Sequence, residues 1–207
     1  MVVIASLAGL MRLIFSVFLV FLLACHNSQP RHYTEIAFKA KSPMMGMEAP
    51  IHVSWNLPKG WIDQPAGDPM RLASFFALDS GDAVGETGAK PVDVSIVQLA
   101  GTAGGLPANI TRWMGQVKIP ASPEIVQDII AHADTLHTVS GQKGTVVDFT
   151  NMLSGDMTST TSIIGVIIEG PDYMVFVKAM GDQDQLLKLK NRILAFGRSV
   201  SISEANP

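Results

Sequence analysis

Ser162-Ile163-Ile164-Gly165-Val166-Ile167-Ile168, then Gly170-Pro171-Asp172, then Tyr173 to Met180: reading this stretch decides the fold. The first segment is apolar on both of its alternating faces, as a strand is when other layers cover it on both sides. Gly-Pro-Asp supplies the turn, and the returning segment makes an antiparallel partner. A sheet buried on both faces needs a layer against each, and the sequence after Met180 provides one. Asp182 and Gln185 form a capping-box pattern, and Leu186, Leu189, Ile193, Phe196 and Val200 make one apolar stripe. Arg198 sits where a cation favours a helix C-terminus.

Working back from this core, Thr135 to Val139 and Thr145 to Thr150 read as strands joined by Ser140-Gly141-Gln142-Lys143-Gly144. Two helices precede them. In Pro107 to Val117 the residues Ile110, Trp113, Met114 and Val117 fall at i, i+3, i+4 and i+7. Ser122-Pro123-Glu124 gives an N-cap, a first-turn proline and an early acid, predicting a helix to about Ala133. Further upstream, Ile51 to Trp55, Met70 to Ala77 and Val92 to Leu99 read as strands close enough in sequence to pair antiparallel. The predicted order is three strands, two helices, four strands and one helix. That order predicts an α+β fold, a mainly antiparallel sheet flanked by helices.

Four segments carry a family resemblance: Trp55-Asn56-Leu57-Pro58-Lys59-Gly60-Trp61, Met70-Arg71-Leu72-Ala73-Ser74-Phe75, Ala103-Gly104-Gly105, and Ala108-Asn109-Ile110-Thr111-Arg112-Trp113-Met114-Gly115-Gln116. Together they resemble a group of uncharacterised bacterial lipoproteins with a Mog1/PsbP-like α/β/α sandwich. The resemblance spans roughly Trp55 to Val200 and implies the fold; the group brings no established activity, and this fold hosts unrelated roles.

The start of the chain addresses localisation. An apolar run from Leu13 to Ala24 follows Arg12 and ends in Leu22-Leu23-Ala24-Cys25, resembling a bacterial lipoprotein signal with Cys25 as the lipid attachment site. The run is short for a bilayer core of about 30 Å. Cys25 is the single cysteine of 207 residues, which removes disulfides from consideration. Because Met1 to Leu10 is uncharged, Met11 is an alternative start to Met1. The chain thus divides into a signal peptide (1–24), a lipidated tether (25–49) and one α/β domain (50–207). Lipoprotein anchors carry two or three acyl chains, and each buried methylene contributes about 0.8 kcal/mol, so attachment is effectively permanent. With His26 rather than Asp after the cysteine, the resemblance favours the outer membrane, facing the periplasm.

Charge narrows the partners. The whole chain has a formal net charge of −3, and losing residues 1–24 would remove only Arg12. No basic stripe exists to follow a phosphate backbone, so nucleic acid is not expected as a partner. The expected partners are the membrane, through the lipid anchor, and another envelope protein.

Chemistry-bearing residues are sparse. There is no Gly-x-Ser-x-Gly elbow, His-Glu-x-x-His helix or Cys-His dyad, so no catalytic residue is assigned. Asp63, Asp68 and Asp79 fall in expected loops. His132, Asp134 and His137 are nominal zinc ligands without helical spacing or a fourth donor. Met44, Met45, Met47 and His52 could offer soft donors to Cu(I), yet methionines in a linker ordinarily pad a domain surface. No metal or cofactor is expected. Gly101-Thr102-Ala103-Gly104-Gly105 reads as a tight turn, with an anion cradle ahead of the next helix as the alternative. On that helix Asn109, Arg112 and Gln116 share a polar face beside Trp113, and they are the candidate contact for a partner or small polar ligand. The function expected is a non-enzymatic interaction or assembly domain; the alternative is a small-ligand or metal binding module of the envelope.

Overall fold

The computed structural model describes residues 51–65, 67–78, 91–152 and 160–204. Seven strands form the main sheet: β2 (Ile62–Gln64), β3 (Arg71–Ala77), β4 (Val92–Ala100), β5 (Thr135–His137), β6 (Lys143–Asp148), β7 (Thr161–Glu169) and β8 (Tyr173–Asp182). Their spatial order is β2-β3-β4-β8-β7-β6-β5, and every neighbouring pair is antiparallel. Two meanders, β2-β3-β4 and β5-β6-β7-β8, therefore meet where β4 lies beside β8. The helices α1 (Gly105–Gln116) and α2 (Pro123–His132) connect β4 to β5, and α3 (Gln183–Ser199) follows β8. The molecule is α+β, with a mainly antiparallel sheet flanked by helices.

The two apolar faces of β7 explain the layers. Ile164, Val166 and Ile168 join a core with Leu186, Leu189, Ile193 and Phe196 of α3. Ile163 and Ile167 point the other way, into a second core with Ile110, Trp113 and Met114 of α1 and Val126 of α2. Each fully buried Ile, Leu or Val contributes roughly 1.5–3 kcal/mol relative to exposure, so this double-sided strand is where stability concentrates. Ser122 and Asp182 are the N-caps expected from the sequence, but Asp182 bonds the amide of Asp184 rather than that of Gln185, the partner a capping box would use. Ser122 accepts a hydrogen bond from the Ile125 amide at 3.4 Å, and Asp182 accepts one from the Asp184 amide at 3.0 Å.

One expected pairing is not formed. Ile51–Ser54, here β1, stays out of the main sheet and pairs with β9 (Ser201–Glu204), Ile51 opposite Glu204 and Ser54 opposite Ser201. Its place beside Arg71–Ala77 is taken by the short β2. The cause lies at the end of α3, where Val200 at φ −63°, ψ 133° breaks the helix directly into extended chain, so that β9 offers β1 an edge. Ile51 and Val53 thereby pack on the α3 side of the core.

An ion pair fastens α3 to β6. Lys190 Nζ lies 2.8 Å from Asp148 Oδ2, while Asp148 Oδ1 accepts from Thr150 N at 2.9 Å and Thr150 Oγ1 at 2.6 Å. Burial disfavours the Asp148 carboxylate, but the bonds from Lys190 and Thr150 outweigh it and hold its pKa below the ordinary value. A carboxyl depressed in the folded state contributes stability above its unfolded pKa of about 3.9 and loses it as pH falls through the folded value. The stability difference between the native protein and Asp148→Asn should therefore be constant from neutral pH to about pH 5 and shrink below about pH 4. Urea unfolding of both proteins across that range checks it; a difference unchanged in acid would contradict the assignment.

Candidate functional site

The strand β4 runs into α1 through the glycine loop, and the backbone there fixes the helix entry. Gly101, Ala103, Gly104 and Gly105 all have positive φ, at 64°, 45°, 85° and 74°. Gly101 N donates to Asp172 O of the β7–β8 turn at 2.7 Å and Gly105 N to Thr102 O within the loop at 2.6 Å, so both amides are already engaged by backbone. The loop is a left-handed turn that aims α1 back across the sheet.

Asn109 completes that turn from inside. It is 1% exposed, and its Nδ2 donates to Ala103 O at 3.1 Å and Gly105 O at 2.7 Å, with Met174 Sδ at 3.8 Å. Its Oδ1 accepts from Arg112 Nη2. Asn109 therefore acts as the brace beneath the helix, and the surface that can reach a partner contracts to Arg112 and Gln116, both exposed.

Trp113, one residue on, sets the distance between α1 and the sheet. Its ring lies on Gly165 of β7, where an added Cβ would come within 2.5 Å of Cζ3. It also meets Phe176 of β8 edge-on, with centroids 6.1 Å apart. With the indole seated, the neighbouring face of α1 projects over β8 in two contacts. The guanidinium carbon of Arg112 stands 5.9 Å from the Phe176 centroid, within cation–π range. Gln116 Oε1 accepts a hydrogen bond from Lys178 Nζ at 3.0 Å.

Register extends the site across β4 and β3. Lys178 lies between Gly165 and Ser95, and Ser95 is opposite Ser74, a row of small neighbours on which the lysine stem can lie. The adjacent row runs Phe176, Val97, Arg71. From that end Arg71 donates to Ser74 Oγ at 3.3 Å and clasps Asp93 through two 3.0 Å bonds. The result is a strip of polar side chains, Arg112 and Gln116 on α1, Lys178 on β8 and the Arg71–Asp93 pair on β3 and β4, over a floor already covered, with Ser95 1% and Ser74 4% exposed. Burial pushes the Lys178 ammonium below its ordinary pKa; the charge of Arg71 adds to this and Asp93 opposes it, with Arg112 and Asp68 weaker in the same two senses.

Other candidates are scattered. His132 caps the end of α2 with Nδ1 3.1 Å from Asp128 Oδ1, and His137 is exposed on β5; among the described residues no group of three or more metal-ligating side chains forms. Asp68 closes a turn by accepting from Met70 N at 2.9 Å, and Asp63 is exposed on β2. Cys25, Met44, Met45, Met47 and Asp79 lie outside the described residues. No helix among the described residues is long and apolar enough to cross a membrane.

Sequence reasoning passed over Lys178, Arg71 and Asp93. A signal for Lys178 was present: it is the one charge inside the apolar run Met174 to Met180. For Asp93 it was the alternation Val92-Asp93-Val94-Ser95-Ile96, which puts polar residues on one face.

Neither a protein-family model nor a curated protein sequence matches the chain. Among solved structures it is similar to cyanobacterial PsbP (CyanoP) from Synechocystis, at 14% identity and a TM-score of 0.43, covering 77% of this chain and 95% of that one. It is also similar to LpqN, described as involved in cell envelope biogenesis of Mycobacterium tuberculosis, at 12% identity and a TM-score of 0.47, covering 77% of this chain and 87% of that one.

Proposed function

We propose that this chain is a periplasm-facing lipoprotein, anchored through Cys25 and favouring the outer membrane, whose α+β domain is a non-enzymatic interaction module for another envelope protein. The observation that carries the contact surface is that Arg112 and Gln116 are solvent-exposed yet held, one over Phe176 and the other by Lys178. Long polar side chains normally lose rotamer entropy on binding, at about 0.5–1.5 kcal/mol each, and restraining them beforehand lowers that cost. Asn109 supports the arrangement from below by fixing both the loop and Arg112.

The anchor and the contact surface are separable experimentally. Cys25→Ser should move the protein from the membrane pellet to the soluble fraction while leaving thermal unfolding of the domain unchanged; retention in the pellet would refute the anchor. Photo-crosslinking of the membrane-bound full chain, followed by mass spectrometry, should give a discrete adduct that an Arg112→Ala, Gln116→Ala double variant loses. An adduct that survives the double variant would remove this face from the reading.

A further inference from the structure

We infer that the polar strip where α1 meets β8 binds a single carboxylate presented by an acidic segment of a partner protein, with Lys178 and Arg112 as its direct ligands and the Arg71–Asp93 pair beyond them. This rests on the reading of the α1–β8 face as a contact surface and supplies its chemistry. Arg112 and Gln116 lie one turn apart on α1, over Phe176 and Lys178 of β8, and the strand register carries the line on through Val97 to Arg71, which holds Asp93; Arg71, Asp93, Arg112 and Asp68 all act on the Lys178 charge. Arg71 is committed to Asp93 by a bidentate pair. Lys178 donates to the uncharged Gln116, and neither Lys178 nor Arg112 belongs to any of the ion pairs among the described residues. A half-buried ammonium that has given up hydration without gaining a carboxylate is poorly compensated, and a carboxylate arriving from outside would restore the balance.

The charge count selects the kind of anion. With three cations and two carboxylates in the cluster, a monoanion neutralises the excess, whereas a dianionic phosphate would also meet Asp93. The spacing selects its source: Lys178 hydrogen-bonds Gln116, one helical turn from the exposed Arg112, so one carboxylate side chain approaching the edge of α1 can meet both cations. A flat anionic bilayer attracts clusters of four to eight basic residues. This face has three, mixed with two acids, on a chain of formal net charge −3.

The test uses the full chain in uncharged detergent micelles, with side-chain nitrogen NMR of Lys178 and Arg112. Two blocked peptides serve as probes, Ala-Phe-Glu-Phe-Ala and the same peptide with Gln for Glu. The Glu peptide should shift both signals and bind at least about tenfold more tightly than the Gln peptide, weakening with salt. Lys178→Met should abolish the discrimination and Lys178→Arg should keep it. Equal binding of the two peptides would overturn the inference. Tighter binding of inorganic phosphate, or shifts produced by doping the micelles with phosphatidylglycerol alone, would overturn it in favour of a phosphate group. If discrimination is absent while the crosslinked adduct still depends on Arg112, the carboxylate chemistry fails and the contact surface stands. If discrimination persists while the adduct ignores Arg112, the partner is excluded as the source of the carboxylate.

Discussion

Trp113→Ala is expected to lower the unfolding free energy by about 3–5 kcal/mol, the usual cost of emptying a fully buried aromatic site. Trp113 is 2% exposed and touches elements far apart in sequence, its ring lying on Gly165 of β7 and meeting Phe176 of β8. The cavity cannot refill cheaply, because no side chain stands at Gly165 to move into it. Chemical denaturation of the full chain measures the loss as a shift in midpoint with unchanged slope. Arg112→Ala, one residue away, is the control. It forfeits an exposed cation–π contact and the bond to the buried Asn109 Oδ1, about 2 kcal/mol together and still below the loss at Trp113. Equal destabilisation by the two substitutions would mean that Trp113 is not a packing centre.

The reciprocal substitution attacks the same contact from the sheet. Gly165→Ala would place a methyl group 2.5 Å from Trp113 Cζ3, 2.8 Å from Cη2 and 3.0 Å from the Val177 carbonyl oxygen. Overpacking of this kind costs about 1–3 kcal/mol, and the upper end is expected because a buried indole backed by Phe176 has nowhere to rotate. The diagnostic result is non-additivity. In a Trp113→Leu background, where the ring is gone, Gly165→Ala should cost much less than in the native chain, giving a coupling energy of at least about 1 kcal/mol. Additive losses would place the clash elsewhere, at the Val177 carbonyl.

Elements with a strong apolar period were legible in the sequence because burial dictates their residues. The two-faced strand at Ser162 to Ile168 and the stripe Leu186 to Val200 specify a sheet covered by helices. β2 and β9 were not legible, since each brings one apolar residue, Ile62 and Ile202, too few for a period. Missing β9 also misplaced Ile51–Ser54, whose partner is 150 residues downstream and leaves no local trace. At the site, sequence spacing put Asn109, Arg112 and Gln116 together on α1, but helical periodicity does not tell a solvated amide from one turned inward to hold a loop. The other half of the site comes from β3, β4 and β8, and only register lines Arg71 and Asp93 up with Lys178, which reaches the helix.

The pairing of β1 with β9 has a mechanical consequence under the anchoring proposed above, which would load the domain from its N-terminal side. Ile51 faces Glu204 at the outer end of the two-stranded sheet, so tension applied at residue 50 loads that rung first and opens the ribbon one rung at a time toward Ser54. Unzipping in this geometry yields at lower force than shearing a whole strand, because the bonds break in series. Because β1 is already extended at about 3.3 Å per residue, its release frees the direction of four residues more than it adds length. The seven-stranded sheet, which shares no rung with β1, keeps all its pairings meanwhile. Under that anchoring the ribbon would be the first pairing to open, ahead of any rung of the sheet that carries Lys178.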